Sequence, residues 1–276
     1  MRLLDSPAAL VPRVDVLGVQ VSALNMDCAL DVLDYWITTG TQQYVCVTGV
    51  HGVMESYRDA ALQRIHNGAG LVTPDGMPLV WWARTRGYSH VRQVCGAELM
   101  LACCERSLTA GYRHFFYGGG DGVADLLVRR LTRRFPGLAV AGTYTPPFRP
   151  LTTEEDADVI RRIRDSGADI VWVGLSTPKQ ERWMAEHMGR IDATLMIGVG
   201  AAFDFHAGLK CRAPRWMSRS GLEWLFRLST EPRRLWKRYL TNNPAFVYLT
   251  LQEVWRAYHP ARSGGETSSA AARPSA

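Results

Sequence analysis

Asp75 is the residue best placed for proton chemistry. It lies in Thr73-Pro74-Asp75-Gly76, after the short apolar run Gly70 to Thr73 and before a helix-forming segment. A carboxylate at such a junction faces the ligand edge of a parallel sheet and could act as a general base. The same four residues also make an ordinary turn. A second candidate is Gly118-Gly119-Gly120-Asp121-Gly122-Val123, which leaves an aromatic strand and enters a helix. Its glycines would let backbone N–H groups approach a diphosphate, or would simply serve a tight turn. Ser176-Thr177-Pro178-Lys179-Gln180-Glu181 puts Lys179 and Gln180 where a phosphate or sugar would lie, although it also reads as a well-capped helix start. Last comes Gly198-Val199-Gly200-Ala201-Ala202-Phe203-Asp204, whose small residues permit close ligand approach and whose Asp204 could hold ribose hydroxyls. Its glycines would equally serve strand–helix packing.

Other chemistries lack their residues. Gly118 and Gly120 fit two places of the dinucleotide fingerprint, but Val123 stands at the third and no ribose-binding acid follows the next strand at Gly142. No Gly-Lys-Ser/Thr makes a Walker loop, and no G-x-S-x-G makes a nucleophile elbow. His51, His114, His206 and the six cysteines show no metal-ligand spacing, so no metal is expected. Asp156-Ala157-Asp158 has the form of a metal-binding D-x-D, yet inside a helix positions i and i+2 face apart.

These candidates need a scaffold that brings strand ends together. Short β-branched runs alternate with amphipathic segments over residues 1–207, which predicts an α/β fold with a parallel sheet covered by helices. The expected strands are Val14 to Val21, Tyr44 to Thr48, Gly70 to Thr73, His114 to Gly118, Leu138 to Gly142, Asp169 to Gly174 and Thr194 to Val199. One long helix is expected from Gly52 to His66, and another opens at Thr152 or Thr153. Beyond Asp204 the pattern turns helical: Gly221 to Leu228, Pro232 to Leu240, a break at Asn242-Asn243-Pro244, then Pro244 to Tyr258. Residues 261–276 read as a disordered tail.

Charge divides the chain in the same place. The net charge of +6 is the sum of unlike parts. Residues 1–207 carry 20 basic and 22 acidic side chains, whereas residues 208–260 carry 10 basic and 3 acidic ones with four of the nine tryptophans. A basic, tryptophan-rich appendage on a neutral body predicts a surface for something polyanionic. No apolar stretch approaches the ~20 residues of a bilayer span, no secretory leader opens the chain, and the cysteines form no C-x-x-C pair. A cytosolic protein with reduced, mostly buried thiols is expected.

Taken in order, the motifs resemble those of the WecG/TagA/CpsF family of bacterial glycosyltransferases. The resemblance runs from about Tyr44 to about Tyr239 and adds Arg212-Ala-Pro214, Leu222-Glu-Trp224, Arg227-Leu228 and Glu231-Pro-Arg233 to the elements above. It implies a Rossmann-like core with a C-terminal helical appendage. It implies inverting transfer from a UDP-sugar to a saccharide on polyprenyl diphosphate, in exopolysaccharide or other cell-surface polysaccharide synthesis, with no cofactor or metal required. Asp75 corresponds to the family's general base, and Thr48 to the Thr of its T-x-N donor motif, where Val50 replaces the Asn. The Val50 departure removes the usual donor-sugar contact and signals a sugar other than N-acetylmannosamine, with N-acetylmannosaminyl-, glucosyl- and uronosyl-type transfer all left open. Gln180 and Asp204 match donor-contacting positions. The family's arginine before Gly96 falls at Gln93, with Arg92 beside it, and either residue is a candidate.

Such an acceptor must be met at a membrane. Trp236, Tyr239 and nearby Arg234, Lys237 and Arg238 are therefore expected to dock on the anionic cytoplasmic leaflet, with some arginines of the group that also holds Arg227 and Arg233 closing over the diphosphate. The bland alternative has these tryptophans completing the core and the arginines merely solvated. Two rival functions are an NAD(P)-dependent oxidoreductase and a nucleic-acid-binding module. The main reading expects no nucleic acid and leaves the oligomeric state open, a homo-oligomer included.

Overall fold

The computed structural model describes residues 11–259; the tail predicted at 261–276 lies outside them. Each expected core strand forms within two residues of its place, because each is a short apolar run that needs cover on both faces. The strands are β3 (Gln43–Thr48), β4 (Leu71–Pro74), β5 (Arg113–Gly118), β6 (Ala139–Tyr144), β7 (Ile170–Gly174) and β8 (Leu195–Gly198). They make one six-stranded sheet in the order β4-β3-β8-β7-β5-β6, parallel throughout. The strands' carboxyl ends therefore share one edge. The fold is α/β with helices on both faces.

Two apolar layers sandwich the sheet. On one side Val72, Cys46, Met196, Val171 and Phe115 face Met54, Leu79, Met184 and Trp183. On the other, Leu71, Val45, Ile197, Trp172 and Phe116 face Leu33, Trp36, Met100 and Leu127. The helices bringing these side chains include α1 (Met26–Thr39), α4 (Met77–Thr85), α5 (Gly96–Ala110), α6 (Val123–Arg134), α7 (Thr153–Ser166) and α8 (Lys179–His187). Thr152 caps α7 reciprocally with Glu155, as its position before three acids foretells. Asp156 then pairs with Arg190 and lies 2.9 Å from His187 Nε2, whereas Asp158 pairs with Arg161 and Arg162.

Three expectations fail locally. Val14 to Val21 is not one strand but a hairpin of β1 (Arg13–Val16) and β2 (Val19–Ser22), turned by Leu17 and Gly18 at φ of 52° and 86°. Two consecutive left-handed residues fit a two-residue hairpin turn. Gly52 to His66 is split into α2 (Val50–Arg58) and α3 (Ala60–Gly68). Asp59 is the cause, since its side chain accepts the Ala61 and Leu62 N–H groups and starts a new helix.

The third concerns the appendage. After α9 (Ala202–His206) come α10 (Arg215–Arg219), α11 (Glu223–Thr230) and α12 (Pro232–Tyr258). The break expected at Asn242-Asn243-Pro244 is absent, and α12 continues through Pro244 for 27 residues. An internal proline costs about 3 kcal/mol by removing one hydrogen bond and crowding the carbonyl four residues back. That carbonyl belongs to Leu240, which is exposed, so water is at hand for it. Meanwhile Leu235, Asn242, Phe246 and Thr250 bury one face of α12, so packing holds both halves in line.

Candidate active site

A cleft of about 2230 Å³ opens over the carboxyl edge of the sheet. Sites for one small molecule run to roughly 1,000 Å³, so this volume suits two substrates. Gly49, Asp75, Gly119, Gly174, Gly200 and Asp204 line its core side, while Glu223, Arg227, Arg238 and Tyr239 line it from the appendage. The cleft is completed only where both parts meet.

Asp75 sits half-buried on its floor, just past β4, with its N–H held by Thr48 O at 2.9 Å. Burial and then the Glu223 carboxylate push the Asp75 carboxyl well above the ordinary range, Glu98 assisting and Arg227 and Arg212 opposing. A carboxylate whose pKa is raised toward the working pH is a better proton acceptor. Arg212 in turn pairs with Glu98, so the opposing charges are partly tied to each other.

The glycine loop serves packing and cleft together. Gly118 has φ +120°, and a Cβ there would stand 2.7 Å from Gly174 O, so only glycine lets β5 and β7 close at this point. Gly119 donates its N–H to Gly174 O at 3.1 Å. Gly119 and Gly120 face the cleft, whereas Gly118 lies beneath it. Gly198 is likewise structural, since a Cβ would meet Met184 Cε at 2.8 Å and Gln180 Nε2 at 3.0 Å. Gly200 lines the cleft beside Lys179 and the buried Gln180.

Asp204 reaches the cleft, but it is already paired. Lys210 Nζ lies 2.8 Å from Asp204 Oδ2 and 3.3 Å from Glu231 Oε2, joining the core to the start of α12. Thr48 is brought near rather than in: it is buried, its Oγ1 finds no partner, and its Cγ2 packs where a Cβ at Gly52 would go. Val50 and Gln93 line the cleft. Arg92 does not. Its guanidinium is exposed and bonded to the Ser89 and Val91 carbonyls at 2.7 and 2.9 Å, so of the two arginine-motif candidates only Gln93 reaches the site.

The appendage group divides by helical face. Arg227, Arg234 and Arg238 line the cleft, while Arg233, Trp236 and Lys237 point to solvent. Tyr239, expected at the surface with Trp236, is half-buried at the cleft instead. Burial lowers the Arg238 guanidinium to about 10, with the like charges of Arg227 and Arg234 adding to the effect. The tryptophans do not complete the core: Trp216, Trp224, Trp236 and Trp255 are all exposed.

Several cleft residues were not foreseen. His51 and Glu223 line it, as does the Pro146-Pro147-Phe148-Arg149-Pro150 loop after β6. For Glu223 the Leu222-Glu-Trp224 motif was a legible signal, and for the loop the proline run was, since three prolines around an aromatic make a stiff, displayed segment. Glu181, read as a helix-start acid, is wholly buried. Of the cysteines, Cys46, Cys103 and Cys104 are buried, Cys211 is exposed, and all six are free thiols.

Fold and site together define an α/β enzyme whose chemistry is carried at the carboxyl edge of a parallel sheet, under a cationic helical wall. The chain belongs to the glycosyl transferase WecG/TagA/CpsF family, whose pattern it matches over residues 14–260, and it is a glycosyltransferase. Among curated relatives, an N-acetylglucosaminyldiphosphoundecaprenol N-acetyl-beta-D-mannosaminyltransferase of Bacillus spizizenii is 28% identical over 210 residues, 76% of this chain and 79% of the relative. A protein of the same name from Staphylococcus aureus is 26% identical over 239 residues, 86% of this chain and 91% of the relative. Among the described residues no helix is long and apolar enough to cross a membrane.

Proposed function

We propose that this glycosyltransferase moves a sugar from a UDP-sugar onto a saccharide carried by polyprenyl diphosphate, with inversion at the anomeric carbon, in the synthesis of a cell-surface polysaccharide. The relatives' names supply the acceptor class, since both act on N-acetylglucosaminyldiphosphoundecaprenol. The single observation that carries the mechanism is Asp75, a carboxyl of raised pKa opening into a cleft with room for two substrates.

Inversion needs one base on the acceptor side, and Asp75 takes the proton from the attacking hydroxyl. UDP departs from the opposite face without a protonating acid, because a nucleoside diphosphate is already a good leaving group. Lys179, Arg227 and Arg238 supply fixed positive charge for it, and the reading requires no metal ion. Asp204 takes the ribose hydroxyls once Lys210 yields. Val50 lines the cleft with an apolar side chain where the family's donor motif has Asn, so the donor sugar meets a different contact there.

The membrane reading rests on the solvent face of α12. Arg233, Trp236 and Lys237 are exposed together, with Leu240 one turn further on. Cations attracted to anionic lipid at ~1 kcal/mol each, beside an interfacial tryptophan, would hold the enzyme peripherally at the inner leaflet. Incubation of purified protein with a panel of UDP-sugars and short-chain polyprenyl-diphosphate saccharides tests the reaction. UDP release that is dependent on acceptor and abolished in Asp75→Asn supports it; acceptor-independent release, or none with any donor, refutes it.

A further inference from the structure

Glu181 is fully buried, an uncommon place for a carboxylate. Its Oε1 accepts hydrogen bonds from Thr177 Oγ1 at 2.8 Å and from Gln180 Nε2 at 3.1 Å. The nitrogen end of the Gln180 amide is thus the end that faces Glu181. The carbonyl end is thereby turned away. Gln180 Oε1 is buried and has no partner in the protein. It stands 3.5 Å from the place a Cβ at Gly200 would occupy, on the cleft wall that Gly200 shares with Ser176. A buried acceptor left unmet is costly, and the ligand is what remains to meet it.

The amide is also boxed in. Gly198 has no room for a side chain because Gln180 Nε2 lies 3.0 Å from where its Cβ would be. On the far side of Glu181 the His66 ring is fixed by Ser56 Oγ at 3.0 Å and Leu62 O at 3.2 Å. His66 Nε2, Thr48 Oγ1 and Glu181 Oε2 are all buried without partners, which marks a polar layer behind the cleft wall.

The geometry points to Glu181 as a positioning residue that aims the Gln180 carbonyl at the donor sugar, so that this subsite takes a sugar presenting a hydroxyl or amide N–H there. The inference rests on the glycosyl-transfer reading and deepens it: the sugar must donate at this point, and one that offers only an acceptor or a methylene is rejected. Glu181 touches no substrate itself.

Two variants separate aiming from mere support. Glu181→Gln keeps an oxygen for Thr177 and Gln180, whereas Glu181→Met fills the space with none. Calorimetric titration of the full chain would use UDP and the tightest binder among UDP-N-acetylmannosamine, UDP-glucose and UDP-glucuronate. The Met variant should lose about tenfold in affinity for the UDP-sugar and nothing for UDP, since one net hydrogen bond is at stake. The Gln variant should restore most of that loss. Equal losses on both ligands, or equal losses in both variants, overturn the assignment. Should the wild-type chain bind neither ligand, the transfer reading fails on its own, and the ligand-free protein still decides the aiming. Its Gln180 side-chain amide protons should exchange slowly in wild type and Glu181→Gln and rapidly in Glu181→Met. Rapid exchange in the wild type overturns the inference.

Discussion

Asn242 donates its side-chain amide to His51 Nδ1 at 3.0 Å and takes a hydrogen bond from Arg58 at 2.8 Å. The link joins the middle of α12 to α2 on the core, across a boundary between a basic segment and a neutral one. It requires His51 to be neutral, since a protonated ring would have no acceptor at Nδ1. Burial, with the charges of Arg238 and Arg58, brings His51 down to about 3 and meets that requirement.

Removing the link should loosen the appendage at the cleft that His51 and Asn242 both line. Asn242→Leu leaves Arg58 and His51 without their buried partner, and we expect about 1–3 kcal/mol of lost stability. Urea unfolding would register the loss. Limited proteolysis should cut between α9 and α12 sooner in the variant than in the wild type.

Acid should weaken the fold through two histidines. Trp172 Nε1 donates to His114 Nδ1 at 2.9 Å, and burial lowers His114 to about 4. Groups whose folded pKa lies below the unfolded value bind fewer protons in the native state. Their contribution is present above about pH 6.5 and is lost as pH falls toward 4 for His114 and 3 for His51. Each adds a slope of about 1.4 kcal/mol per pH unit inside its window. Unfolding free energies at pH 7, 6 and 5 measure it, and His114→Gln should flatten the curve.

Asp75 runs the other way. Its folded pKa is raised, so the folded state holds this proton more tightly and stability falls as pH rises through the raised value. Asp75→Asn should therefore keep or raise the melting temperature at pH 7 while transfer drops by roughly 10³-fold. A melting curve and an acceptor-dependent UDP-release assay on the same sample test both halves. A variant that melts early, or that turns over normally, contradicts the placement.

The cations around Asp75 are not equivalent. Arg227 and Arg212 are the cations that pull its pKa down most, ahead of Arg238. Arg227→Ala should shift the acidic limb of the kcat/KM profile to higher pH. Arg238→Ala should lower kcat and move that limb less. Identical pH profiles for the two variants would contradict this division.

The membrane face predicts a lipid dependence. Wild-type protein should float with anionic vesicles more than with neutral ones, and the double change Arg233→Glu with Lys237→Glu should abolish the difference. Equal recovery of wild-type protein with both vesicle types argues against docking through this face.

The sheet was legible because each strand is a short apolar run closed by glycine or threonine-proline. The motifs followed, since strand ends in a parallel sheet converge by topology. What escaped depended on contacts between distant residues. Pro244 stays helical only because Asn242 and Phe246 are anchored, which no local pattern reveals. Arg92 and Gln93 are neighbours in sequence, but only the path of the chain before α5 turns one out and the other in. Glu181 looked like an ordinary helix-start acid because burial cannot be seen in a charge pattern. The split at Asp59 was readable in principle from its capping chemistry.

The unbroken run of α12 has a mechanical consequence. At 1.5 Å per residue its 27 residues measure about 40 Å. A hinge at Pro244 would have let Trp236 and Trp255 swing independently; a continuous rod fixes one relative to the other. If α12 docks on a membrane as proposed, the surface that sets the tilt of that rod would also set how the cleft over Asp75 is presented to a lipid-borne acceptor.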